Sequence, residues 1–312
     1  MRARNIKALL WLGAAALLCV FCAAPSGPAW AAAWVTFPES WDVGQAFTVS
    51  ITADVDYKDP AVTWLDRKVT LDVEQGGAGK VSYGLLGSDV RKVKPGTFPI
   101  LFEFTQGKKR YHIKGNITIN PKTYPSEELK VASRMVNPSK KSLARIRKES
   151  QLTGAALRTM TAKRKWTTPP EFPLSMMYIT SHYGFHRIFN GQPRAPHAAT
   201  DLRAAVGTTV RAPFAGTVIL TGDHYYAGKS VYVDSGNGVI TVFFHLSQIR
   251  VKKGDHIARG QVIAKSGDTG RITGPHLHYG LNLAGQFVDP MPLFETSVTD
   301  LLKQGRQMKV LD

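Results

Sequence analysis

The sequence predicts a mainly β protein, with two β-rich units joined by a basic helical linker. Three observations predict it. Short stretches alternate apolar and polar residues, as in 47-FTVSI-51, 69-VTLDV-73 and 111-YHIKGNITI-119, which is the period of half-buried strands. Turn chemistry separates such stretches at 76-GGAG-79, 95-PG-96 and 106-QGKK-109. One long segment, 140–166, instead spaces Leu143, Ile146, Leu152, Leu157 and Met160 loosely at helical intervals.

Residues 1–33 read as a targeting segment. Arg2, Arg4 and Lys7 precede an apolar run from Ala8 to about Ala24, and small residues then allow cleavage after Ala31 or Ala33. This is the order of a secretory signal peptide, and the run is shorter than the roughly 20 residues a spanning helix needs. The expectation is export to the periplasm or cell envelope with no retained membrane anchor. Both cysteines, Cys19 and Cys22, lie in this segment, so the mature chain is expected to hold no disulfide.

Residues 34–124 are expected to form a small antiparallel β-sandwich-like domain, because several short strands follow one another at turn-punctuated intervals. His112 is its lone histidine. Residues 125–170 form the linker, with a helix expected over 140–166 after Pro138 and Ser139, weakened at Gly154. The helical stretch carries nine basic residues against Glu149 alone. We read this as a solvated face joining two domains; the alternative is an electrostatic foot on an anionic polymer. The chain has 312 residues, 43% hydrophobic and 20% charged, with a formal net charge of +17. That excess favours an anionic partner without identifying it. Nucleic acid is excluded if the protein is exported.

Residues 171–312, with a core at 181–290, form the second β-rich unit. Two of its parts echo each other, 207-GTTVRAPFAGTVI-219 and 254-GDHIARGQVIAKSG-267, as in a sheet built of paired hairpins. The chemistry-bearing residues gather here. His276 and His278 stand two apart in a strand-like run, so both point to one face. His197 and Asp201 stand four apart, and His245 ends the apolar run 239-VITVFF-244. A hydrolytic zinc site uses three protein ligands at about 2.0–2.2 Å and leaves a fourth position for water. Amide hydrolysis needs two more functions, proton relay and oxyanion stabilisation. Five residues can be divided into three ligands and two helpers, and spacing alone does not say which are which.

In order, 183-YGFHR-187, 197-HAATD-201, 207-GTTVRAPFAGTV-218, 241-TVFFHLS-247, 267-GDTGRITGPHLHYG-280 and 289-DP-290 resemble the lysostaphin-type (LytM-domain) zinc endopeptidases, over about a third of the chain. The resemblance implies an antiparallel β-sheet groove with one Zn²⁺ at its floor, held by His197, Asp201 and His278. It implies that His245 and His276 are catalytic, and that the substrate is a peptidoglycan cross-link peptide. The more loosely matching amino-terminal part resembles that of exported Gram-negative members, which favours direct D-alanine to diaminopimelate links. Arg187 matches the family's arginine after Tyr-Gly and is expected to bind substrate or shape the groove. Phe243 stands where the family commonly has tyrosine and is expected at the substrate. Ala199 replaces a frequent glycine. His182, His186, His224 and His256 are expected on the surface or in loops. The protein is expected to be a monomer. The alternative reading is a non-catalytic wall-binding or amidase-activating envelope protein.

Overall fold

Two five-stranded sheets face each other across the first apolar core. A computed structural model describes residues 32–77 and 79–310, so the targeting segment and its cysteines lie outside the described residues. One sheet runs in the order Arg306–Val310, Ala33–Phe37, Ala46–Ala53, Gly79–Gly87, Glu74–Gly76, and the other in the order Ser40–Asp42, Lys109–Asn120, Gly96–Gln106, Lys58–Trp64, Arg67–Thr70. Alternation along these strands buries Val35, Val49 and Ile51 of one sheet against Val62, Phe102 and Ile117 of the other, as the period of two requires. The expected sandwich is present, and the last strand of the chain completes it: Ala33 pairs with Val310 and Phe37 with Arg306.

The linker is helical over a shorter span than 140–166. Helix α1 covers Lys140–Ala156, capped by Ser139, whose side chain accepts from Ser142 N at 3.2 Å. Leu157, Arg158 and Thr159 still donate to carbonyls of the last turn, and from Thr161 on the backbone finds tertiary partners instead. Thr161 O accepts from Asn237 N at 2.8 Å and Lys165 N donates to Ser235 O at 2.8 Å. No residue of α1 is buried. The basic residues do not all face solvent, however: Arg164 pairs with Glu74 and lies over the Trp166 ring at 4.9 Å, tying the linker to the sandwich.

The second half holds a ten-stranded sheet. Its main path is Ile179–Ser181, Thr200–Arg203, His276–Leu283, Val239–Ile249, Gly228–Asp234, Gly216–His224, His256–Ile257. Beneath one face Leu202, Phe243, Leu277 and Tyr279 are buried in a single cluster. The halves also share apolar packing, since Ala46 and Leu85 of the sandwich cluster with Phe214, Leu283 and Val288. Tyr183 is buried against Tyr124 and donates to Phe287 O at 2.8 Å. A small third sheet sets Ser126–Leu129 parallel to His186–Phe189, which places the start of the linker beside the groove. Among the described residues no helix is long and apolar enough to cross a membrane.

Candidate metal centre and its groove

Strand register brings the site together. Asp201 lies directly opposite His278, and His278 directly opposite Phe244, across three neighbouring strands. Because adjacent strands present every second residue to one face, Asp201, His278 and Phe244 share the groove, while Leu202, Leu277 and Phe243 enter the core. His197 reaches in from the irregular segment ahead of Thr200.

Three donor atoms converge. His278 Nδ1 is 2.8 Å from Asp201 Oδ1, His197 Nε2 is 3.2 Å from that oxygen, and the two ring nitrogens are 3.1 Å apart. Ligand atoms at about 2.0–2.1 Å from a four-coordinate zinc lie roughly 3.3 Å from one another, so this triangle fits such an ion closely. His197 Nδ1 is 3.0 Å from His182 O; that bond assigns the proton to Nδ1 and leaves the Nε2 lone pair facing the centre. Burial pushes the His278 imidazole down to about 4, against the pull of Asp201, which keeps it in the neutral form a cation needs. Burial works to raise the Asp201 carboxyl, but His197 and His278 hold it well below the usual carboxylate range.

Asp201 Oδ2 is occupied separately. Arg187 Nη2 donates to it at 2.6 Å, and also to Ser181 Oγ at 3.0 Å. Arg187 Nε approaches Glu127 Oε1 to 2.8 Å, an ion pair rather than a directed hydrogen bond. Ser181 Oγ donates to that same oxygen at 2.7 Å. The guanidinium therefore locks the carboxylate in place, and Glu127 balances its charge.

His245 and His276 flank the triangle, with ring centroids 4.9 Å apart. His245 sits at φ +62 on a bulge where the long strand leaves its partner at Phe244 and takes up a new one at Leu246. A non-glycine residue there carries strain on the order of 1 kcal/mol, and the result is to turn the ring into the groove. His245 Nδ1 is 2.7 Å from Thr269 O and His276 Nδ1 is 2.8 Å from Gly274 O. Each bond commits Nδ1 as donor and leaves Nε2 free. His276 Nε2 is buried with no hydrogen-bond partner among the described residues, 3.5 Å from Asp201 Oδ1. Burial, with His278 and His276 adding to it, pushes His245 down to about 3.

Two expectations change. Phe243 is fully buried and packs on Tyr279; Phe244 is the residue that lines the groove, stacked on His278 at 4.9 Å and 5°. The parity of the strand decides this. His224 is not on the surface: it is buried in the strand Gly216–His224 and bonded to Ser230 Oγ at 2.7 Å. His182, His186 and His256 are exposed as expected. Glu127, Ser181 and Thr269 were not singled out by sequence, and no spacing rule marks them, because they touch the site only through folding.

The sequence model of Peptidase family M23 matches residues 195–290, so the chain carries an M23 domain there. Over 114 residues the chain is 48% identical to the peptidoglycan DD-endopeptidase ShyA of Vibrio cholerae serotype O1, covering 36% of this chain and 26% of that protein. Over 121 residues it is 37% identical to the DD-carboxypeptidase/endopeptidase Mpg of Neisseria meningitidis serogroup B, covering 38% of this chain and 27% of that one. The chain thus spans about a quarter of the length of the curated relatives it matches. A crystal structure from Pseudomonas aeruginosa described as a peptidase M23 is 27% identical, with a TM-score of 0.61, over 79% of this chain and 92% of that one.

Proposed function

From an M23 domain at residues 195–290, we propose that this protein is an exported zinc-dependent endopeptidase of the periplasm or cell envelope. Its substrate is a peptidoglycan cross-link peptide, and the bond is the direct D-alanine to diaminopimelate amide. The observation that carries the reading is the donor triangle of His197, Asp201 and His278, with edges of 2.8–3.2 Å, flanked by two histidines whose Nε2 atoms are uncommitted. Relatives named as peptidoglycan DD-endopeptidases supply the substrate class.

In this reading His197 Nε2, Asp201 Oδ1 and His278 Nδ1 hold one zinc ion. Zinc in such a site supplies Lewis acidity, acidifying a water and polarising a carbonyl. His245, neutral with Nδ1 tied to Thr269 O, accepts a proton at Nε2. His276, tied to Gly274 O, presents its Nε2 to the same space; carrying a proton there as imidazolium, it would stabilise developing negative charge or give that proton to the leaving amine. Arg187 holds the Asp201 carboxylate in a single orientation, and Phe244 fixes the plane of the His278 ring.

Ile146, Glu149 and Leu157 of the linker line the same cavity as the metal centre. We take α1 to restrict entry of the polymer. The sandwich and linker also position the enzyme, and the chain acts as a monomer. The alternative, a non-catalytic wall-binding or amidase-activating protein, leaves no use for five intact chemical residues in one groove. Mass spectrometry of purified peptidoglycan, digested with and without chelator, tests the reading. New termini at D-alanine that disappear with chelator are expected. An unchanged muropeptide profile with zinc-loaded protein would favour the binder.

A further inference from the structure

The cavity beside the metal centre has a volume of about 450 Å³, and five of its lining residues are charged: Arg91, Glu149, Arg187, Arg194 and Arg271. Four of them have polar partners, three in ion pairs and Arg194 in hydrogen bonds to neutral oxygens. Arg91 grips Asp89 with two nitrogens at 2.9 and 2.6 Å. Glu149 takes Arg145 Nε at 2.6 Å and Tyr225 N at 2.8 Å. Arg187 is held by Asp201 and Glu127. Arg194 donates to Gln192 Oε1 at 2.7 Å and to Val136 O at 3.3 Å.

Arg271 differs. Its guanidinium lies between the rings of Phe189 and Tyr226, at 4.6 and 4.4 Å, and among the described residues it has no ion pair and no side-chain hydrogen bond. Ring faces attract the cation and fix its plane, but they provide no lone pair for the N–H groups along its edge. Burial lowers its pKa; Tyr226 opposes this, and Arg187 and Arg194 add to the fall. A guanidinium stays charged regardless, so a desolvated cation is left uncompensated beside two others, a local field that favours an anion.

The loop makes this placement rigid. Arg271 N donates to Tyr226 O at 2.8 Å. Gly270, at φ +84, leaves no room for a side chain, since a Cβ there would meet Gly228 N and Tyr226 O at 2.4 and 2.5 Å. Two residues before Arg271, Thr269 O holds His245. The free cation and the proposed proton acceptor are thus set by one loop and open into one cavity.

We propose that Arg271 is the docking point for a free carboxylate of the peptide substrate, near the bond that is cut. The planar fork suits a bidentate carboxylate. This rests on the peptidase reading above, in which the residue following the scissile amide carries a carboxylate on the same carbon as the amide nitrogen. Acetyl-D-alanyl-D-alanine and its terminal carboxamide reproduce that carbon with and without the charge.

The test uses the full zinc-loaded chain. Hydrolysis of cross-linked peptides with free or amidated carboxylate is measured for the parent, Arg271→Gln and Arg271→Lys. Binding of the acetyl dipeptide pair is measured for the same three in a His276→Ala background, together with zinc content and melting temperature. The free carboxylate should bind about 10- to 100-fold better than the amide, as a shielded charge-assisted pair implies. Arg271→Gln should erase that gap by weakening the free form alone, with the loss in KM more than in kcat; Arg271→Lys should keep part of it. No gap in the parent, an undiminished gap in Arg271→Gln, or equal weakening of both peptides would overturn the proposal. If Arg271→Gln does not fold, an undiminished gap in Arg271→Lys has the same force. Failure to cut either cross-linked peptide would instead remove the peptidase reading, and the binding gap would still decide the role of Arg271.

Discussion

Glu127→Gln removes one charge from the proposed metal centre without touching a proposed ligand. The isosteric amide keeps an oxygen to accept from Ser181 Oγ, so the main change is electrostatic. In the parent, Glu127 Oε1 is 2.8 Å from Arg187 Nε, and Arg187 Nη2 is 2.6 Å from Asp201 Oδ2. With Glu127 neutral, the guanidinium draws on Asp201 alone and its full charge opposes a bound cation. The side chains of Glu127, Arg187 and Asp201 are 16%, 14% and 6% exposed, so solvent screens the chain less than it would a surface pair worth about 0–1 kcal/mol. Outer partners of metal ligands are worth about 10–100-fold in affinity. Glu127 acts one step further out, so we expect the lower end, about tenfold or about 1.4 kcal/mol. Competition with a chromophoric chelator measures it directly, independent of turnover. Unchanged or tighter zinc binding in a folded Glu127→Gln protein would refute the charge-balance argument. The same residue bears on truncation: a fragment beginning near Glu171 lacks both α1 and Glu127, so its rate reports two effects together.

Replacing Asp201 or His278 with alanine should abolish both zinc retention and hydrolysis, since each is one of only three protein ligands in this assignment; full zinc by metal analysis with near-normal turnover would remove the residue from the ligand set. His245→Ala and His276→Ala should keep their zinc yet lose about 10²–10⁴ in rate, and zinc loss in His276→Ala with retention in His278→Ala would reverse the pair. Glu149→Ala removes the bond that anchors α1 to Tyr225 N, and with it the i,i+4 pair with Arg145 inside the helix, while leaving Glu127 in place. It should raise the rate on a small soluble cross-linked peptide, and an unchanged rate there alongside slower digestion of whole sacculi would favour a positioning role for the linker.

The mainly β character, the sandwich and the gathering of five chemical residues in the second half were legible in the sequence, because period-two alternation and turn residues act locally. The shared face of His276 and His278 was legible for the same reason. The pairing of Asp201 opposite His278 was not, since register between strands 77 residues apart depends on the whole sheet. Nor was the choice of Phe244 over Phe243: both are aromatic, and only the bulge at His245 shows which one meets the groove. The end of α1 at Ala156 was hidden because the backbone at Thr161 and Lys165 gains its hydrogen bonds from a distant turn rather than from a continued helix. Glu127, Thr269 and the unmatched cation of Arg271 carry no mark in the sequence. A charge is paired or free only by virtue of what folding brings beside it, and that is what the tertiary structure alone decided.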